Sequence, residues 1–192
     1  SNGLTVDAAD YAVTFSGAIN TIAGDTNFLN TGTTTIGDES TDSSTFTGGL
    51  VATTGTVNIA GTVATTNTAM TLGATTVSDD STINPASGEG SLAAVTINDA
   101  KTLIVTTGRT GAISFGSTIN SAVGGAGNLT INTDGTATFS GNVGGTTTAI
   151  GTLNLTAGNV SPGEIIISIR AGTIAVNGGT SGLIIPDPNA LW

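Results

Sequence analysis

Carboxylates are the side chains of this 192-residue chain best placed to do chemistry, and they come in two groups, Asp38/Glu39/Asp42 and Asp79/Asp80. Paired carboxylates can cleave a glycosidic bond, one as acid and one as base or nucleophile. They can also hold calcium, which takes oxygen ligands from acids and carbonyls. Other routes to catalysis are thin. The chain has no His and no Cys, so the commonest general base and the thiolate nucleophile are missing. A Ser nucleophile would have only Lys101 or an acid as its base, and no motif surrounds such a pair.

Both acidic groups sit in turn-forming sequence, Gly37-Asp38-Glu39-Ser40-Thr41-Asp42 and Ser78-Asp79-Asp80-Ser81-Thr82. Solvated turn acids are the expectation, with calcium at Asp38, Glu39, Asp42, Asp79 and Asp80 as the alternative. The Gly-Gly-x-Gly-x-Asp repeat of calcium-binding solenoids is absent. Gly124-Gly125-Ala126-Gly127-Asn128 resembles its opening but has Asn in place of the acid. The same Gly-rich stretch lacks the Gly-Lys-Ser/Thr ending of a phosphate loop. Three Asn-x-Ser/Thr sequons, at Asn128, Asn154 and Asn159, are expected by chance in so Thr- and Asn-rich a chain. The Thr-x-Thr pairs Thr54/Thr56, Thr66/Thr68 and Thr136/Thr138 suggest hydroxyl rows of the kind an ice-binding face needs, though at no constant spacing.

Composition narrows the function classes. Charged residues are 8 % of the chain, against about 25 % in an ordinary domain, so Thr, Ser, Asn and Gly must cover the surface. The net charge is −10, with Lys101, Arg109 and Arg170 the only cations. Three scattered cations do not neutralise a phosphate backbone or dock on an anionic membrane, so nucleic-acid binding is excluded as the main role. No apolar run approaches the roughly 18 residues of a membrane span. The start, Ser1-Asn2-Gly3, has no basic leader and is expected in a mature product or an excised piece.

The elements that must position any site are strands. Thr56-Val57-Asn58-Ile59-Ala60, Asn128-Leu129-Thr130-Ile131-Asn132 and Thr152-Leu153-Asn154-Leu155-Thr156 alternate apolar and polar residues and then meet turn formers. No apolar set recurs at helical spacing. A phrase also returns: Phe15-Ser16-Gly17-Ala18-Ile19-Asn20 comes back as Phe115-Gly116-Ser117-Thr118-Ile119-Asn120, and its first half as Phe46-Thr47-Gly48-Gly49 and Phe139-Ser140-Gly141-Asn142. From Ile97 to Ile119 is 22 residues, and Phe115 to Phe139 and Ile131 to Leu155 are each 24. A short unit recurring at this period means coils stacked on one another. The expected fold is therefore all-β, a parallel β-solenoid of roughly eight irregular coils, about 40 Å long at about 4.8 Å per rung. An antiparallel β-sandwich is the alternative, since it also spaces strands by 8–12 residues.

In the solenoid reading, residues 1–159 form the coils. Phe15, Ile19, Phe46, Ile97, Phe115, Ile119, Ile131, Phe139, Leu153 and Leu155 point into the core, with the phenylalanines stacked one above another. Asn20, Asn98, Asn120 and Asn132 fall at corners, where Asn tolerates left-handed backbone. Residues 160–192 depart from the pattern, and are expected to cap the rod or receive another subunit.

The phrases Gly127-Asn128-Leu129-Thr130-Ile131-Asn132-Thr133-Asp134-Gly135, Thr138-Phe139-Ser140-Gly141-Asn142-Val143-Gly144 and Leu153-Asn154-Leu155-Thr156-Ala157-Gly158 resemble giant repetitive bacterial surface proteins. These are the filamentous-haemagglutinin-like and autotransporter-like β-strand-repeat adhesins. The resemblance covers about residues 10–160 and lies in composition and rhythm. It implies export to the cell surface or beyond, and adhesion or matrix building. It supplies no catalytic residues. The expected function is a structural or adhesive extracellular protein without enzymatic activity or resident cofactor, partnered by itself or by a host or matrix surface. A glycan- or ice-binding module is the alternative.

Overall fold

The computed structural model describes residues 3–108, 111–145, 147–161 and 171–178, with side chains described through residue 156. Strand follows strand, and every strand pairing is parallel. The chain is a parallel β-solenoid of about seven turns. The antiparallel sandwich is thereby set aside.

Each turn lays one strand on each of three faces. The first face stacks β1 (Leu4–Val6), β4 (Thr26–Phe28), β7 (Leu50–Ala52), β9 (Met70–Leu72), β11 (Gly90–Leu92), β14 (Ile113–Phe115) and the end of β16 (Asn128–Phe139). The second stacks β2 (Val13–Phe15), β5 (Thr34–Ile36), the starts of β8 (Val57–Thr65) and β10 (Thr75–Asn84), β12 (Val95–Ile97) and β15 (Ile119–Ser121). The third stacks β3 (Ile19–Ile22), β6 (Ser43–Phe46), the ends of β8 and β10, β13 (Thr102–Thr107), the start of β16, β17 (Ile150–Ser161) and β18 (Ala171–Gly178). Along the first face, successive strands begin at Leu4, Thr26, Leu50, Met70, Gly90 and Ile113, so a coil is 20–24 residues. Seven rungs at about 4.8 Å give a stack about 34 Å long.

Alternation builds the core. Inward positions form continuous columns, such as Phe15–Ile36–Ile59–Val77–Ile97 on the second face and Leu103–Leu129–Leu153 on the third. Ile97, Phe115, Ile119, Ile131, Phe139, Leu153 and Leu155 all lie buried where the sequence places them, and Phe46 does too. Column neighbours adjust in size. Gly90 sits beside Ile113, and a Cβ at Gly90 would lie 2.5 Å from Ile113 Cδ1.

Three expectations need correction. Ile19 is 82 % exposed, not core. In β3 the inward positions fall on Asn20 and Ile22, in register with Ser44 and Phe46 of β6, so Ile19 points to solvent. The phenylalanines do not form one stack. Phe115 and Phe139 do stack, at 5.3 Å between centroids and 9° between planes, because both belong to the first face. Phe15 and Phe46 belong to the second and third faces, and meet each other and Phe28 edge to face at 5.7–6.3 Å across the core.

The Asn residues are the third correction. Asn98 does occupy a corner, following β12, where its carbonyl accepts from Lys101 N–H at 3.2 Å. Asn20, Asn120 and Asn132 lie within strands instead, in register with Ser44, Thr96 and Thr106. Asn120 and Asn132 follow an inward Ile in an alternating strand and so point outward mid-strand, whereas Asn20 follows the outward Ile19 and points inward. The left-handed corner Asn is Asn67 (φ 57°), whose Oδ1 accepts from Ser87 N–H and Oγ on the next coil.

Beyond residue 159, Val160 and Ser161 continue on the first face beside Ala137 and Thr138, and β18 continues the third beside β17. The expected cap or joint over the rest of 160–192 otherwise lies outside the described residues.

Candidate functional site

Asp38, Glu39, Asp42, Asp79, Asp80, Asp99 and Lys101 lie at the edge between the second and third faces, whereas Asp7 and Asp10 lie between the first and second and Asp25, Glu89 and Asp134 between the third and first. The second-to-third edge varies in length from coil to coil. In the third coil only residues 60–61 separate the faces within β8, and Gly61 turns the chain at φ 68°. Longer corners lie on either side, at residues 37–42 and 78–80, and these hold Asp38, Glu39, Asp42, Asp79 and Asp80. The edge thus brings together both acidic groups singled out in the sequence, although they are some 40 residues apart in the chain.

Each acid that the structure engages is engaged by the fold. Asp42 is 5 % exposed, and its Oδ2 accepts from the backbone N–H of Asp38 at 3.0 Å and of Glu39 at 3.2 Å. The Asp38 N–H is the main cause that holds the Asp42 carboxyl below its usual value, with desolvation opposing it. Asp42 also accepts at its carbonyl from Thr62 N–H at 2.7 Å, tying the corner to the next coil. Asp79 Oδ1 forms an ion pair with Lys101 Nζ at 2.7 Å. That pair, and then the Asp80 N–H, lowers the Asp79 pKa, and the same pair raises that of Lys101. Asp80 Oδ1 accepts from Thr102 N–H at 2.7 Å.

These contacts link one rung to the next. Asp79 to Lys101 and Asp80 to Thr102 are each 22 residues, one coil. In the sequence Lys101 stands as a scattered cation or a base for Ser; the 22-residue coil period is the signal that pairs it with Asp79. Among the described residues, no three or more acids come together in a way that would hold a metal ion. Of the calcium candidates, Asp42 caps its own corner, Asp80 accepts from Thr102 N–H and Asp79 is paired with Lys101.

The faces are the other possible sites. No charged residue occupies any register-paired strand position among the described residues. Outward positions on the third face form two columns per coil: Ser43/Thr45, Thr62/Ala64, Thr82/Asn84, Ile104/Thr106, Thr130/Asn132 and Asn154/Thr156. The expected Thr-x-Thr rows are not these. Thr54, Thr56, Thr66 and Thr68 lie in turns, and only Thr136 and Thr138 lie on a strand, β16. Among the described residues no helix is long and apolar enough to cross a membrane. Comparison with protein-family models, with curated proteins and with solved structures gives no match.

Proposed function

We propose that the chain is a structural or adhesive building block of an extracellular bacterial surface fibre, layer or adhesin stalk, without catalytic activity. The observation behind this reading is the division of labour between faces and edges. Uncharged Thr, Ser and Asn cover the strands, while the acids at the second-to-third edge cap corners and clip one rung to the next. Side chains spent on holding rungs together are not free to turn over a substrate. The rhythm shared with repetitive surface adhesins points the same way and supports a cell-surface or extracellular location.

Display of the chain on a bacterial surface tests the reading. Displaying cells are expected to adhere to matrix-coated surfaces, or to one another, more than parent cells do. Cleavage of a glycan by the purified chain, lost in Asp79→Ala/Asp80→Ala, would replace the structural reading with an enzymatic one.

A second reading, a glycan- or ice-binding module, is favoured by the two outward columns of the third face, rich in Thr and Asn. Ice recrystallisation inhibition that Thr82→Lys and Thr130→Lys abolish would support it; no inhibition by the parent chain would remove the ice-binding form.

A further inference from the structure

The third face differs from the other two in what it offers to solvent. The three-residue strands of the first and second faces turn one side chain outward, whereas the strands of the third turn out at least two. Outward neighbours along a strand lie about 6.6 Å apart, and rungs about 4.8 Å. Inward and corner hydroxyls, such as those of Thr34, Thr75, Thr107 and Thr133, hydrogen-bond within the fold. Among the described residues, no side-chain hydrogen bond engages the outward hydroxyls of Ser43, Thr45, Thr62, Thr82, Thr106 and Thr130. Ile19 and Ile104, both exposed, stand in the same outward column, four rungs apart.

Charge and area select the occupant. No charged residue stands on the face, but carboxylates line both its edges, Asp38, Glu39, Asp80 and Asp99 on one side and Asp25, Glu89 and Asp134 on the other. Among the described residues Lys101 is the only cation, and it is paired with Asp79. Anionic chains are therefore repelled. Seven rungs of a four-residue strand make a strip about 34 Å by 13 Å, roughly 450 Å². A stable protein partner covers about 800 Å² on each side, so the strip is too narrow for one. Ice needs hydroxyls at constant spacing, and Ile19, Ala64, Asn84, Ile104 and Asn132 interrupt the columns. A narrow, neutral strip with two rows of hydroxyls and amides fits a single ribbon-like neutral chain. An extended β-1,4-linked polysaccharide is such a ribbon. Its hydroxyls project from both edges, its rings present C–H faces to isoleucines, and its rise per sugar is close to one rung.

We propose that the third face binds a neutral β-1,4-linked polysaccharide, one chain wide, laid along the rod. The proposal rests on the adhesive reading above and gives it a binding face and a ligand class.

Co-sedimentation of the full chain with cellulose and with chitin tests it, with cellohexaose and chitohexaose as soluble competitors. Thr62→Glu/Thr82→Glu sets two carboxylates in the middle of the face, and Ile104→Glu is an independent block at an exposed position. Thr35→Glu/Thr76→Glu sets the same charge outward on the second face as a control. Circular dichroism confirms that each variant folds. The parent is expected to sediment with at least one polymer and to be released by the matching hexasaccharide. Both third-face variants should lose at least tenfold in affinity, and the second-face pair should keep it. Three results would overturn the proposal: a parent that sediments with neither polymer, equal losses on the two faces, or release by polygalacturonate as effective as release by the neutral hexasaccharide. Adhesion of displaying cells is scored separately. Cells that adhere while the purified chain sediments with neither polymer would end this proposal and leave the adhesive reading standing.

Discussion

Phe15–Asn20 and Phe115–Asn120 are nearly the same words, yet they do different jobs. In the second copy Phe115 ends a strand of the first face and Ile119 opens one of the second, with Ile119 wholly buried. In the first copy Phe15 ends a strand of the second face and Ile19 opens one of the third, with Ile19 82 % exposed. The phrase therefore encodes a local event, a strand that ends, turns and begins again. It does not encode which face it serves. Both corners take three residues, 16–18 and 116–118, so corner length does not decide the pointing; the two copies cross different edges, second to third face in one and first to second in the other. Asn20 takes the inward place in the first copy and hydrogen-bonds Ser44 Oγ at 3.2 Å; Ile119 takes it in the second.

The sharpest way to break this comparison is to truncate both isoleucines. Ile119→Ala should cost about 2–5 kcal/mol, the range for deleting a buried aliphatic side chain. Ile19→Ala should stay within about 0.5 kcal/mol, as for a surface change. Chemical denaturation of the two variants reads the difference directly, and equal losses would mean that the two copies are equivalent after all.

Close approach at the corners is the next point to probe. Gly61 makes the shortest second-to-third corner with φ 68°, and a Cβ there would lie 2.3 Å from the Asp42 carbonyl oxygen. Gly61→Ala should cost on the order of 1–3 kcal/mol from backbone strain alone, whereas Gly125→Ala, also at positive φ (81°) but with nothing within 4 Å, should cost less. Thermal melts that rank the two the other way would show that close approach between coils is not what these corners need.

A smaller effect, of opposite sign, is expected inside the second coil. Thr26 replaces the Leu that stands above and below it in its column (Leu4 and Leu50), and its Oγ1 is buried without a hydrogen-bond partner. Thr26→Val keeps the shape and removes the stranded hydroxyl, so it should stabilise by about 1 kcal/mol. A destabilised variant would mean that the hydroxyl has a partner.

The weakest expected effect is on pH dependence at the acidic edge. Asp42 and Asp79 have lowered pKa values, so their contribution is present above the ordinary carboxylate pKa and is lost as pH falls through the lower folded values. Lys101 is raised, so its contribution is present below 10.5 and lost as pH rises through its higher folded value. Melting temperature should be level near neutrality and fall at both extremes, and Lys101→Met should remove the alkaline component. An unchanged alkaline fall in that variant would place its cause elsewhere.

How much of this could be read from residues alone follows from the same physics. Period and alternation gave strands, a coil of 20-odd residues and most of the core, because stacking repeats both signals in every rung. Ile19 and Asn20 could not be read, because the same phrase with a corner of the same length serves different edges of the coil, and the corners expected at Asn120 and Asn132 are not there, because each follows a buried Ile within its strand. Phe28 is not legible as core because it lies in Asn27-Phe28-Leu29-Asn30, outside the recurring phrase, although it is one of the three rings of the edge-to-face cluster. The acids were found, but not their work. Asp42 holds its own corner and Asp79 reaches one coil on, and only the second of these leaves a trace in spacing.

Cross-linking across rungs tests the three-face solenoid most directly. The chain has no Cys, so introduced pairs report without background. Thr76 and Thr96 are register partners on the second face, as are Thr96 and Asn120; parallel neighbours about 4.8 Å apart lie within disulfide reach. Ser91 and Thr96 are only five residues apart but belong to the first and second faces. Mild oxidation should cross-link Thr76→Cys/Thr96→Cys and Thr96→Cys/Asn120→Cys within single chains and leave Ser91→Cys/Thr96→Cys reduced. Cross-linking of the Ser91/Thr96 pair without the other two would contradict the coil register on which the rest of the account depends.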